Sequence, residues 1–270
     1  MAASTYKSAM AHLRRDEGGF VHHRLDPGGA TNFGITQAVY DSYRKRLGLK
    51  TRSVREIAEV EVSSIYQTQY ADKVRYDALP AGVDYATLDA AVNSGVSRGA
   101  KWLQLSVGAS ADGQVGPQTV AKADAADPLK TIKSICARRL SFVQSLKTWS
   151  TFGKGWSRRI AGVEANATKM SLAARGGSER GIAAHLTAEA TTARKDANTN
   201  AATATTSAAS GAGSTVGVDL ANLDSVTTIA LFVVAVGLVG FAVYLFRKSK
   251  INRARADAYE AVAAEGVTNA

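Results

Sequence analysis

Glu17-Gly18-Gly19-Phe20, followed by Asp26-Pro27-Gly28-Gly29-Ala30-Thr31-Asn32-Phe33-Gly34-Ile35-Thr36, interrupts a sequence that otherwise reads as helical. From Gly18 to Gly34 no helical spacing of apolar residues is visible, and the glycine pairs with Pro27 suit turns or a short hairpin. Glu17 falls at the end of the first expected helix, and Asp26 follows in the loop after eight intervening residues. Chain geometry therefore lets two carboxylates face each other across a cleft. Cleavage of a glycosidic bond needs such a pair: one carboxyl protonated to give a proton to the leaving oxygen, the other ionised to activate water or stabilise an oxocarbenium-like state. A helix C-terminus and an apolar neighbour such as Phe20 raise the pKa of a carboxyl and suit Glu17 to the acid role. Gly28 and Gly29, like Gly18 and Gly19, leave room for a sugar chain close to the backbone, and Thr31 and Asn32 supply short polar groups for a water or an acetamido group. Taken alone, the pair also fits a solvated glycine-rich turn, so the surrounding sequence has to decide.

Outward from this stretch, apolar residues recur at helical spacing over Tyr6–Arg15, Thr36–Leu47, Val54–Tyr70, Leu88–Leu105, Gln118–Ala126 and Pro128–Leu146. Asp112-Gly113 and Gly116-Pro117 are turn signals, with Pro117 suited to a first helical position. Trp102, beside Leu103 and Leu105, reads as core rather than as a sugar platform, and Asn93 near Gly95 either lines the cleft or ends a turn. The single cysteine, Cys136, excludes an intramolecular disulfide and reads as a buried packing thiol; the four histidines are scattered, so neither a metal site nor a cofactor is expected.

These residues resemble a known family. EGGF at 17–20 and DPGGATNFGIT at 26–36 look like the signature of the glycoside hydrolase family 108 N-acetylmuramidases, lysozyme-like enzymes of phages and bacteria. The resemblance makes Glu17 the catalytic acid, and the gap to Asp26 is similar to the Glu and Asp spacing of phage lysozymes. Those enzymes carry a functional Thr six positions after the Asp, where this chain has Asn32, with Thr31 one place earlier. Asp77–Asp84, Asp89–Gly95, Lys101–Gln104 and Ala111–Thr119 look like the family's predicted peptidoglycan-binding region, and the agreement runs from about Leu13 to Arg159.

The C-terminal third is compositionally different. Of the 50 residues of 176–225, Ala, Thr, Ser and Gly make up 32, with no aromatic Trp, Phe or Tyr and no Pro; this predicts a tether, part flexible and part helical through the alanines between Glu179 and Lys195. Val226–Phe246 is 21 residues without a charge, the length of a transmembrane helix. Arg247, Lys248, Lys250, Arg253 and Arg255 follow, a cluster that favours an inside C-terminus and an outside N-terminal domain. Met1–Gly19 carries regular charges and no apolar run, so no cleavable secretion signal is expected. Residues 1–175 hold 25 Lys+Arg against 15 Asp+Glu and supply the whole net charge of +10. That charge suits an anionic wall polymer; no nucleic-acid motif appears.

The sequence thus predicts a mainly α, lysozyme-like helical domain with a small irregular or hairpin insert, a tether and a single transmembrane helix. The expected parts are a catalytic region at 1–80, a peptidoglycan-binding region at 81–175 in the same globular unit, a tether at 176–225, the span at 226–246 and a basic tail at 247–270. The expected reaction is hydrolysis of the β-1,4 bond between N-acetylmuramic acid and N-acetylglucosamine. Glu17, Asp26 and Thr31 are the candidate catalytic residues, and Gly28, Gly29, Asn32 and Asn93 the candidate substrate contacts. Expected partners are peptidoglycan glycan strands and, through residues 226–246, a lipid membrane, with no nucleic acid. A phage lytic enzyme, either an endolysin at the host membrane or a component of a membrane-containing virion with its catalytic domain facing the wall, is the leading setting. The alternatives are a non-catalytic wall-binding or membrane-anchoring protein and a bacterial wall-remodelling secretion activator.

Overall fold

The computed structural model describes residues 3–16, 20, 29–213 and 225–267. Helix α1 (Ala3–Asp16) is followed by strands β1 (Thr31–Asn32) and β2 (Ile35–Thr36), paired antiparallel with Thr31 opposite Thr36 and Asn32 opposite Ile35. Next come α2 (Gln37–Arg46), a short helical turn at Val54–Glu56, α3 (Glu59–Tyr66), α4 (Val83–Ser94), α5 (Val96–Ser106), α6 (Pro117–Ala125) and α7 (Pro128–Gln144). Helices α8 (Trp149–Ala174), α9 (Glu179–Gly213) and α10 (Ser225–Val267) complete the described chain. Among the described residues the architecture is mainly helical with one hairpin insert, as the sequence predicts.

Two compact units emerge: Met1–Ser150 with Asn166–Gly176, and Thr151–Ala165 with Gly177–Ala270. In the first, α4 is the central element, with every residue from Val83 to Ala91 buried and α1, α5 and α7 packed against it. A helix buried all round shows no polar face, which is why periodicity placed its start too late, at Leu88. The single helical stretch expected over Leu88–Leu105 is two helices because Gly95 adopts φ +91°, a conformation only glycine takes without strain, and α5 folds back onto α4 there. Trp102 is buried against Phe142, ring centroids 5.7 Å apart, and Cys136 is buried as expected of a packing thiol.

Two carboxylates sit inside this core on α4. Asp89 is fully buried and paired with the buried Arg139 of α7. Asp84, also fully buried, accepts hydrogen bonds from the Thr5 hydroxyl of α1 (2.6 Å) and from the Gly82 (2.7 Å) and Tyr85 (2.6 Å) amides. The Tyr76 hydroxyl donates to Thr5 Oγ1 at 3.0 Å, so this polar knot ties α1 to the central helix. Burial pushes the Asp84 carboxyl up to about 6, against the lowering effect of those hydrogen bonds. A carboxyl whose folded pKa is raised favours folding when protonated, so its contribution is complete below about pH 4 and is lost as pH rises through 6. Thermal melts between pH 4 and 7 should show this slope, about 3 kcal/mol in total, and Asp84→Asn should flatten it.

In the second unit α9 and α10 pair along their length. Arg194 meets Asp257 (3.0 Å) and Glu260 (2.7 Å), Ser249 donates its hydroxyl to the Ala197 carbonyl at 2.7 Å, and Ala204 packs with Ala242 and Leu245, so the helices run antiparallel. Their buried seam is Leu186, Ala190, Ala193 and Ala197 against Leu245, Ser249, Asn252 and Ala256, at three- and four-residue spacing. Small side chains bring the two backbones close. This packing explains why α9 extends well beyond the Glu179–Lys195 stretch that the alanines alone suggested: an isolated helix of this composition is marginal, and α10 supplies the partner. Helix α10 likewise continues through the basic segment rather than ending at Phe246. Arg255 turns inward to Glu164 of α8 (2.5 Å), where the Tyr259 hydroxyl also donates at 3.0 Å.

Candidate active site

Phe33 and Gly34 connect the two strands, both with positive φ (+50° and +71°), the pattern of a tight hairpin turn of the primed class. Phe33, a non-glycine residue in this region, is held on three sides: its carbonyl accepts from the Tyr66 hydroxyl (2.9 Å), its ring lies under the Arg14 guanidinium (5.8 Å), and it packs on a cluster of Ile35, Tyr40, Val54, Ile57, Ile65 and their neighbours. Thr36 then caps α2, its hydroxyl accepting from the Val39 amide at 3.4 Å.

Beneath the hairpin lies a polar knot. Glu61 receives Arg44 (2.5 Å), Arg52 (2.5 Å), the Tyr40 hydroxyl (2.7 Å) and the Ala58 amide (3.0 Å). Burial pushes this carboxyl up, but the hydrogen bonds from Ala58 and Tyr40 and the charges of Arg52 and Arg44 outweigh it and hold it below its ordinary value. Gln37 joins the same region by donating to the Arg52 carbonyl (2.8 Å) and accepting from the Val54 amide (2.7 Å). Apart from the Ala58 amide, three positions away, the partners of Glu61 lie 9 to 21 positions from it, so no local motif marks them. They form the rigid floor on which the hairpin rests.

Of the residues singled out by sequence, Glu17, Asp26 and Gly28 lie outside the described residues. Asp16, the last residue of α1, directly precedes Glu17. Phe20 and Ala30, on either side of the segment that holds Asp26, both pack against the hairpin cluster, and the Arg55 guanidinium covers the Phe20 ring at 4.2 Å. Gly29 has φ +68°. Thr31 is half-buried, its hydroxyl 3.4 Å from the Gly29 carbonyl. Asn32 is buried, and its amide nitrogen donates to the Val54 (3.1 Å) and Arg55 (3.2 Å) carbonyls, so this side chain anchors the hairpin. Asn93 is exposed on the last turn of α4, its amide donating to the Asp89 carbonyl at 2.9 Å. Val92 beside it packs on the hairpin cluster, which brings the end of α4 to the same region. Gly29, Thr31 and Asn32 are thus together in one hairpin, with Asn93 on a separate helix.

The turn at Asp112–Gly113 is held from α5. The buried Gln104 donates to Asp112 (2.7 Å) and to the Gln114 carbonyl (3.0 Å) and accepts from the Gly113 amide (2.9 Å), locking the turn before α6.

Comparison with known proteins follows the same outline. The model of the family described as Glycosyl hydrolase 108 matches residues 10–95, which include the second half of α1, the hairpin, α2, α3 and α4. The solved structure of Brucella abortus SagA is 41% identical, with 63% of this chain and 97% of that chain covered and a TM-score of 0.58. No curated protein matches. With the motifs in order, the hairpin and helical scaffold in place and nearly the whole of a 41%-identical relative covered, the chain belongs to the glycosyl hydrolase 108 family and is a glycoside hydrolase acting on peptidoglycan.

Proposed function

We propose that the protein is a membrane-attached muramidase that hydrolyses the β-1,4 bond between N-acetylmuramic acid and N-acetylglucosamine. The observation that carries this reading is the family match over residues 10–95, which contains both EGGF and DPGGATNFGIT. Glu17 gives its proton to the glycosidic oxygen as the C1–O bond breaks, and Asp26 acts as base or electrostatic partner to the cationic sugar while water completes hydrolysis. Gly28, Gly29, Thr31 and Asn93 are proposed to face the glycan, and Asn32 to hold the hairpin that presents them. Incubation of the full chain with purified cell walls tests the reading: turbidity falls and reducing ends appear, whereas chain that only binds walls leaves both unchanged.

Membrane attachment rests on α10, whose apolar half exposes Ile229, Phe232, Val233, Val236 and Phe241 among others. Within Phe232–Glu265 it is long and apolar enough to cross a bilayer. A phage lytic enzyme, at the host membrane or in a membrane-containing virion, fits this combination. An outside catalytic domain with an inside tail is one orientation. The pairing of Arg255 with Glu164 of α8 favours a second, in which the tail and α8 share one side of the bilayer. Lys250→Cys and Lys7→Cys, each in a Cys136→Ala background and labelled from outside sealed vesicles, distinguish them: equal labelling of both is expected of the second orientation, opposite labelling of the first.

A further inference from the structure

Between α9 and α10 lies a groove of about 390 Å³. Val239, Ala242, Val243 and Phe246 line it from one face of α10, at the three- and four-residue spacing that puts them in a row. Ala208 faces them from α9 and is too small to fill the gap. At one end stand Arg247 and Lys250, four residues beyond Val243 and Phe246 respectively. Both cations are exposed, and among the described residues neither has a carboxylate partner. The groove is therefore apolar along its length and doubly positive at its mouth, and the change falls where the uncharged stretch ends at Phe246.

We infer that this groove is a binding site for an anionic phospholipid, one acyl chain lying along Val239, Val243 and Phe246 and the phosphate paired with Arg247 and Lys250. The inference rests on the reading of α10 as membrane-embedded, which puts Arg247 and Lys250 at the depth of the headgroups. Charge complementarity selects the occupant: a lipid headgroup without net charge leaves the two cations uncompensated, whereas a phosphodiester of net negative charge neutralises them. The acyl chain covers apolar surface that α9, with Ala208 at this level, leaves open.

The test uses the full chain in detergent micelles doped with equal amounts of phosphatidylglycerol and phosphatidylcholine, with bound lipid read by native mass spectrometry. Wild type is expected to retain phosphatidylglycerol in roughly tenfold preference. Arg247→Gln with Lys250→Gln should remove that preference, while Lys248→Gln with Arg253→Gln, the same loss of charge outside the groove, should keep it. Ala208→Phe, which fills the groove without altering charge, should lower retention of the lipid. Equal retention of the two lipids by wild type, or equal loss in both double variants, would overturn the proposal. Flotation with phosphatidylcholine vesicles after a high-salt wash separates the two levels of inference. A chain that does not float refutes membrane attachment, whereas one that floats without lipid preference refutes the groove alone.

Discussion

Replacing Glu17 by Gln should lower the rate of wall hydrolysis by roughly 10²–10⁴-fold and leave thermal unfolding unchanged. Glutamine keeps the size of the side chain and removes the transferable proton, so the loss falls on the chemical step rather than on wall binding. Co-sedimentation with purified walls should stay at the wild-type level. Asp26→Asn should also slow turnover, and the size of its loss separates a base, without which water is not activated, from an electrostatic partner whose field a neutral amide partly replaces. Activity retained in Glu17→Gln would remove the assignment of the acid.

The second large effect lies in the core. Asp89→Ala leaves the Arg139 guanidinium buried at the α4–α7 contact with its main partner gone and its Nε already unpaired. Breaking one side of such a pair costs about 3–5 kcal/mol, a large share of the roughly 5–15 kcal/mol that stabilises a typical domain. The melting temperature should fall by about 10 °C or more. Asp89→Leu combined with Arg139→Met should recover much of it, because the apolar pair removes both charges together. Double-variant melts at neutral pH decide this: a double variant no more stable than Asp89→Ala alone would show that the pair does more than neutralise itself.

Sequence reading reached the helices with a solvated face, such as α1, α2, α6 and α7, because alternation between core and water leaves a period. It placed α4 late, because a helix buried on all sides has no such period. The hairpin was readable from its glycines, and the order of motifs carried the family. Long-range support was not readable: Glu61 collects Arg44, Arg52 and Tyr40, and Gln104 fastens the Asp112 turn, through contacts that no local spacing encodes. Asn32 shows the same limit from the other side. Its place in the motif suggested a ligand contact, and its buried amide is spent on the Val54 and Arg55 carbonyls. Residues 176–225 read as tether because composition alone cannot show that α10 offers α9 a surface to pack on.

The most direct measurement is the chemistry of the products. Purified peptidoglycan digested by the full chain and resolved by mass spectrometry should yield fragments ending in reducing N-acetylmuramic acid, each heavier by one water than the corresponding anhydro sugar. Fragments ending in reducing N-acetylglucosamine, or in 1,6-anhydro-N-acetylmuramic acid, would contradict hydrolysis of the muramyl bond.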